Sequence, residues 1–289
     1  MSRRFISACL TSLLLATSLD AYSASIWKLT QGERILYIGG TIHILSQSDY
    51  PLPEAYEKLY QKSDTLVFET DIASLEEPDF AAQLQASATY PVGQDISTKL
   101  SPDTQKLVGD FANQFGLSFN QLKQFKPGML AMILSNLSFQ NAGLTEAGVD
   151  AYYSDKASND NKPQSWLETP QQQLGFINSM GIGNEEQFIR YTLRDLDQTD
   201  DIVDSLKPLW REGKVDELAQ LLVLPMKADY PDTYEKLLVS RNKNWLPQIE
   251  AYLQSPETEF ILVGTAHLVG PDSVIALLQQ RGYKIEQIK

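Results

Sequence analysis

Two short apolar runs near opposite ends of the chain close on the same phrase, Gly-Thr-x-His. Leu36-Tyr-Ile-Gly-Gly-Thr-Ile-His43 is matched by Ile261-Leu-Val-Gly-Thr-Ala-His267, and these are the only two histidines in 289 residues. Both runs are rich in β-branched and aromatic residues and too short for helices. Each therefore reads as a buried strand with a histidine just past its C-terminal edge. In α/β sheets that edge is where ligands bind. A chain that keeps its only imidazoles in duplicated positions, more than two hundred residues apart, is expected to bring them together in one site. The glycines ahead of each histidine permit a tight turn and a close approach of backbone to ligand.

The first residues read as an address. Arg3 and Arg4 precede an apolar stretch from Phe5 to Leu19, too short to span a bilayer, and Ala21-Tyr-Ser-Ala24 supplies small residues for cleavage after Ser23 or Ser25. Residues 1–23 are thus expected to be a secretory signal peptide of the bacterial periplasmic kind. Cys9, the only cysteine, lies inside it. Ile6-Ser-Ala-Cys9 resembles a lipoprotein box, but too few residues separate Arg4 from Cys9 for lipidation to be expected. The mature chain would carry no thiol, so an exported fold has to rest on its core and not on disulfides.

The formal net charge is -13, and loss of Arg3, Arg4 and Asp20 makes the remainder one unit more negative. Nucleic acid and anionic membrane surfaces are poor partners for such a chain. No second long apolar segment follows the leader, so no membrane association is expected once it is removed.

Hydrophobic periodicity predicts strands at both ends and helices between them. Ile26 to Leu29 and Arg34 to Ile38 flank the hairpin signal Thr30-Gln-Gly-Glu33, and a helix over Pro53 to Lys62 precedes a strand over Thr65 to Phe68. Helices are predicted over Ile72 to Ala86, Asp103 to Gln114, Gly128 to Gln140, Thr145 to Ser158, Pro170 to Met180 and Asn184 to Leu196, with a strand over Pro163 to Leu167 among them. Further helices cover Ile202 to Arg211, Val215 to Leu222 and Asp232 to Leu253, the last kinked or restarted at Pro247. A strand, helix and strand close the chain from Phe260 to Ile288. The expected architecture is one α/β (α+β) unit over 24–289, a mixed sheet flanked by helices with a helical insertion at about 72–160.

Two more strands end in charge. Thr65 to Phe68 runs into Glu69, and Gln164 to Leu167 runs into Glu168, so four strands terminate in His43, Glu69, Glu168 and His267. Imidazole nitrogen and carboxylate oxygen together suit zinc, manganese, cobalt or iron, whereas calcium would want oxygen alone. The competing reading makes each glutamate a helix N-cap, since Thr70-Asp71 and Thr169-Pro170 follow them. No His-Glu-x-x-His helix is present.

Arg241 falls on an apolar helical stripe with Leu237, Leu238, Trp245 and Ile249. A guanidinium pointing inward needs an anionic partner. It would neutralise Glu168 or Glu69, stabilise a developing oxyanion, or simply snorkel at the rim of the core.

These residues carry a resemblance to the TraB/PrgY/GumN family, which includes the Tiki metalloproteases. They are Trp27, Tyr37 to His43, Glu69, Gly148-Val-Asp150, Leu167-Glu-Thr169 with Gln172, Arg241-Asn242 with Trp245, and Gly264 to Gly270. The resemblance implies a mixed α/β fold akin to the haem-binding ChaN and erythromycin esterase groups. It also implies metal-dependent peptide hydrolysis, with manganese or cobalt favoured. In that pattern His43, His267 and Glu69 form the core of the site, with Glu168, Arg241 and Asn242 next. The expected function is an exported metallohydrolase acting on a peptide or protein, with Glu69 as ligand and Glu168 as general base. The alternative is a non-catalytic periplasmic protein that holds haem or a peptide in the same pocket.

Overall fold

The computed structural model describes residues 24–288, so the leader expected over 1–23 lies outside the described residues. Eight strands follow in chain order: β1 (Ile26–Gln31), β2 (Arg34–Thr41), β3 (Ile44–Leu45), β4 (Thr65–Phe68), β5 (Glu146–Ala147), β6 (Gln164–Trp166), β7 (Glu259–Gly264) and β8 (Lys284–Gln287). Six form one mixed sheet in the order β6-β4-β7-β2-β1-β8, while β3 pairs with β5 apart from it. Strands β6, β4, β7 and β2 run parallel. β1 is antiparallel to both its neighbours. The fold is therefore mixed α/β, with helices packed around the sheet.

Strands β4 and β7 are buried along their whole length, and β2 is buried from Leu36 onward. Such unbroken apolar strands belong to a sheet covered on both faces, where alternation has no solvent side to serve. The last long strand, β7, enters between β4 and β2, so the two Gly-Thr-x-His segments end side by side with Thr41 opposite Gly264. The four parallel strands consequently send their C-terminal ends, and the residues that follow them, to one edge.

Helix boundaries depart from the periodicity where local chemistry intervenes. The stretch predicted as one helix from Ile72 is two, Ile72–Leu75 capped by Asp71 and Pro78–Ala88, because proline fits the first turn of a new helix better than the interior of an old one. The helix predicted from Thr145 starts only at Val149, its first residues being used to pair Glu146 with Leu45. The long helix predicted over Asp232 to Leu253 passes through a π-helical turn at Glu235–Val239 and continues as Ser240–Tyr252, uninterrupted at Pro247. A second apolar core away from the sheet joins Val108, Leu122, Leu130 and Leu134 to Ile189 and Leu193. The helical layer thus draws on residues beyond 160. No described helix is long and apolar enough to cross a membrane.

Candidate functional site

At the shared edge the strand ends are laced together by backbone and side-chain hydrogen bonds. The Glu168 amide donates to the Glu69 carbonyl at 2.8 Å, and the Thr265 hydroxyl donates to the Thr41 carbonyl at 2.9 Å. The Gly264 amide donates to Glu69 Oε1 at 2.7 Å. Neither glutamate is a helix cap. Asp71 caps the helix after Glu69, and Thr169, in a reciprocal box with Gln172, caps the helix after Glu168.

Each histidine is held by its Nδ1. His43 Nδ1 donates to Asp150 Oδ2 at 2.8 Å. His267 Nδ1 donates to Asn242 Oδ1 at 2.6 Å, with the Asn242 amide nitrogen spent on the Asp272 carbonyl at 2.8 Å. That amide orientation makes Asn242 Oδ1 an acceptor, which places the proton of His267 on Nδ1 and leaves Nε2 with a lone pair. The π-helical turn sets this up: the helix that follows it buries Arg241, Asn242 and Trp245 together against the strand ends.

Arg241 lies at the centre and is only 7% exposed. Its Nε donates to Glu168 Oε1 and its Nη2 to Glu168 Oε2, both at 2.8 Å, and Nη2 also donates to Glu69 Oε2 at 2.6 Å. Nη1 donates to His267 Nε2 at 3.1 Å and to the Leu237 carbonyl at 3.3 Å. All five N–H groups are thereby occupied, so the guanidinium serves both glutamates and keeps no donor free for an oxyanion. Glu168 also receives Trp245 Nε1 at 2.8 Å and Gln173 Nε2 at 2.7 Å. With four donors on two oxygens, it has no lone-pair site left. Glu69, with one donor on each oxygen, has one on each.

Electrostatics separate the two imidazoles. Asp150 holds His43 in its protonated form, its pKa raised to about 9, although its side chain is 59% exposed. Burial drives His267 the other way, to about 3, so it is neutral. Burial alone would raise Glu69, but Arg241 beside it, helped by protonated His43 and the Gly264 amide, holds the carboxyl well below the usual carboxylate range.

Two imidazoles and a carboxylate are donor types that a divalent cation takes. A Cβ on Gly264 would lie 3.2 Å from both Glu69 Oε1 and His43 Nε2 and 3.7 Å from His267 Cδ2, so the three side chains converge on this glycine. His267 Nε2 is 3.9 Å from Glu69 Oε1. An oxygen acceptor behind each imidazole is the usual way of orienting histidine toward a metal. No group of three or more His, Cys, Asp or Glu among the described residues is set at ligand spacing. Arg241 Nη1 already engages the His267 lone pair that an ion would take.

His43, Glu69, Glu168, Arg241, Asn242 and His267 thus all meet at one edge of the sheet. Sequence reasoning assigned no role to Asp150 or Gln173. Asp150 sits in the Gly148-Val-Asp150 segment, and Gly148 packs so closely that a Cβ there would lie 2.2 Å from the His43 carbonyl carbon. That glycine is the signal in the sequence for the approach of this segment to His43. Gln173 follows the capping Gln172 and carried no such signal.

The sequence profile of the TraB/PrgY/gumN family matches residues 25–287. "Uncharacterized protein YbaP" of Escherichia coli (strain K12) is 21% identical over 252 residues, covering 86% of this chain and 89% of its own. "Uncharacterized protein YbaP" of Shigella flexneri gives the same identity and coverage. No solved structure matches the chain.

Proposed function

From the premise that the chain belongs to the TraB/PrgY/gumN family, we propose that it is a metal-dependent hydrolase acting on peptide bonds, exported to the periplasm after loss of residues 1–23. One observation carries this reading. Two imidazoles and a carboxylate meet around Gly264, and each imidazole is tied through Nδ1, so that Nε2 is the nitrogen an ion would take once Arg241 releases His267 and His43 loses its proton. His43, His267 and Glu69 would hold the ion, with manganese, cobalt and zinc the candidates for such a donor set. Bound there, a divalent ion supplies Lewis acidity, polarising a carbonyl and acidifying water.

The chain's own residues divide the remaining work. Asp150 and Asn242 keep the two Nδ1 protons and fix the ring orientations. Glu69, with a lone-pair site free on each oxygen and its charge held by Arg241, is suited to offering an oxygen to the ion. Glu168 is better suited to anchoring than to the general-base role expected from sequence, because acting as a base would require breaking one of its four hydrogen bonds. It holds Arg241, and Arg241 holds Glu69 ionised.

The test is peptide cleavage by the purified protein loaded in turn with manganese, cobalt or zinc, read by mass spectrometry on a pool of unstructured peptides. Cleavage that disappears with EDTA and in Glu69→Gln supports the reading. Intact peptides with every metal, under conditions where the ion is bound, contradict it and leave the ligand-holding alternative.

A further inference from the structure

The side-chain amide of Asn242, itself 1% exposed, joins two partners: Oδ1 takes the His267 Nδ1 proton at 2.6 Å, and Nδ2 donates to the Asp272 carbonyl at 2.8 Å. A carbonyl oxygen can only accept, so it decides which end of the amide faces it and which end is left for the histidine. Polarity then runs one way, from the Asp272 carbonyl through Asn242 to Nδ1–H of His267 and a lone pair on Nε2. Turned over, the same amide would point Nδ2 at the imidazole. Nδ1 would then have to accept, and the proton would sit on Nε2, the nitrogen an ion would take.

Asp272 lies in the loop between His267 and the helix Val274–Gln280, which Ser273 caps. Its carboxylate holds that loop from outside, Oδ2 accepting from Lys227 Nζ at 2.8 Å and from Tyr234 OH at 2.7 Å. Tyr234 is 5% exposed, and the Lys227 ammonium stands 5.4 Å from the centre of its ring, so the three side chains pack as one group. Lys227 and Tyr234 come from the short helices Leu224–Asp229 and Pro231–Tyr234, not from the sheet. Gly270 secures the same loop nearer His267, with φ at +87° and room for a Cβ only 2.9 Å from Val223 Cγ1. While Arg241 Nη1 donates to His267 Nε2 it demands the same tautomer. An ion on Nε2 would displace that donor and leave the Nδ1 proton to Asn242 and Asp272.

We propose that Asp272, anchored by Tyr234 and Lys227, is a positioning residue that sets the orientation of Asn242 and so keeps the proton of His267 on Nδ1 and its Nε2 available to an ion. The consequence for metal affinity rests on the reading of His267 as a ligand, and the consequence for the His267 ring does not. Asp272 acts through Asn242 and touches neither imidazole. An aspartate that only stitched the loop to the helical layer would change the melting temperature and leave the ring of His267 as it was.

The experiment follows the ring nitrogens and their protons by 15N–1H NMR on the purified protein in EDTA, with His43→Gln to assign the two histidines, and titrates zinc by calorimetry into the same set of variants. The unmodified protein should give a His267 Nδ1–H signal far downfield, as a bond of 2.6 Å requires. Asp272→Ala should move that signal upfield and weaken zinc about tenfold, the lower end of what losing a ligand-orienting partner costs. Asp272→Asn, which still offers an oxygen to Tyr234 and Lys227, should restore both. Tyr234→Phe should shift the ring signal in the same direction as Asp272→Ala and serves in its place if that variant fails to fold. A His267 ring signal unmoved in Asp272→Ala and Tyr234→Phe, whatever their melting temperatures, would overturn the proposal, and so would Asp272→Asn behaving like Asp272→Ala. If the unmodified protein takes up no zinc, the metal reading falls while the ring signals in EDTA still decide the role of Asp272.

Discussion

Arg241 and Glu168 form a two-point ion pair, Nε to Oε1 and Nη2 to Oε2, each at 2.8 Å and both residues buried. Planar guanidinium and planar carboxylate match along two parallel bonds, a fit that an ammonium group cannot reproduce. Breaking a buried pair by removing one partner costs about 3 to 5 kcal/mol, because the other charge is left unpaired. Arg241→Ala should therefore lower the melting temperature by on the order of 10 °C. Arg241→Lys should fall between, and circular dichroism melts of the three proteins check the order.

The second prediction concerns Glu168. If it anchors Arg241, Glu168→Gln should destabilise the fold and free Arg241 without abolishing metal binding. In a double-mutant cycle with Arg241→Lys the two effects should be strongly non-additive, since they break the same contact. Additive losses would show that Glu168 acts independently of Arg241.

Gly264 is open to a sharper substitution. An alanine Cβ would stand 3.2 Å from Glu69 Oε1 and His43 Nε2, where the three side chains converge. Gly264→Ala should fold, since the obstructing atoms are side-chain ends, yet lose at least tenfold in metal affinity. Gly148→Ala should behave differently. Its Cβ would meet the backbone of Ile42 and His43 at 2.2 to 2.3 Å, so the segment bearing Asp150 has to move away. Calorimetric metal titration separates the two variants from the unmodified protein, and NMR of the His43 ring reports loss of Asp150 in the second.

Titration of the metal-free protein should reveal two unlike histidines. His43, raised to about 9 from 6.5 by Asp150, holds its proton in the folded state when the unfolded chain has already lost it. Its contribution to stability is thus complete below pH 6.5 and is lost as pH rises through 9. His267, lowered to about 3 by burial, works in the other direction: the unfolded chain binds a proton below pH 6.5 that the folded one refuses, so stability falls on acidification from 6.5 toward 3. Asp150→Asn should remove the alkaline slope and return the His43 titration toward 6.5, and His267→Gln should flatten the acid one. Denaturant midpoints against pH in EDTA, with NMR of the imidazole protons, measure both.

Much of this site was legible because strand ends are legible. Apolar runs closed by Gly-Thr-x-His, and by Glu69 and Glu168, announced where side chains would leave the sheet, and the parallel order β6-β4-β7-β2 carries all four to one edge. The inward stripe containing Arg241 was also readable, although not which glutamate it served, since both lie within its reach. Asp150 was harder. It reaches His43 through the short pairing of β3 with β5, two residues each, where propensity carries almost no signal. The π-helical turn before Ser240 was invisible for a related reason: Glu235–Val239 carries the same kinds of residue as an α-helical turn, and a single-turn π-bulge has no composition of its own.

The central claim is that His43, Glu69 and His267 share one divalent ion. Calorimetric titration of manganese, cobalt or zinc into the purified, chelator-stripped protein tests it most directly, alongside His43→Ala, His267→Ala and Glu69→Gln with folds verified by circular dichroism. The account predicts one ion per chain for the unmodified protein and loss of that binding in every variant. Binding of none of these ions by the unmodified protein, or undiminished stoichiometric binding in His43→Ala and His267→Ala, would contradict it.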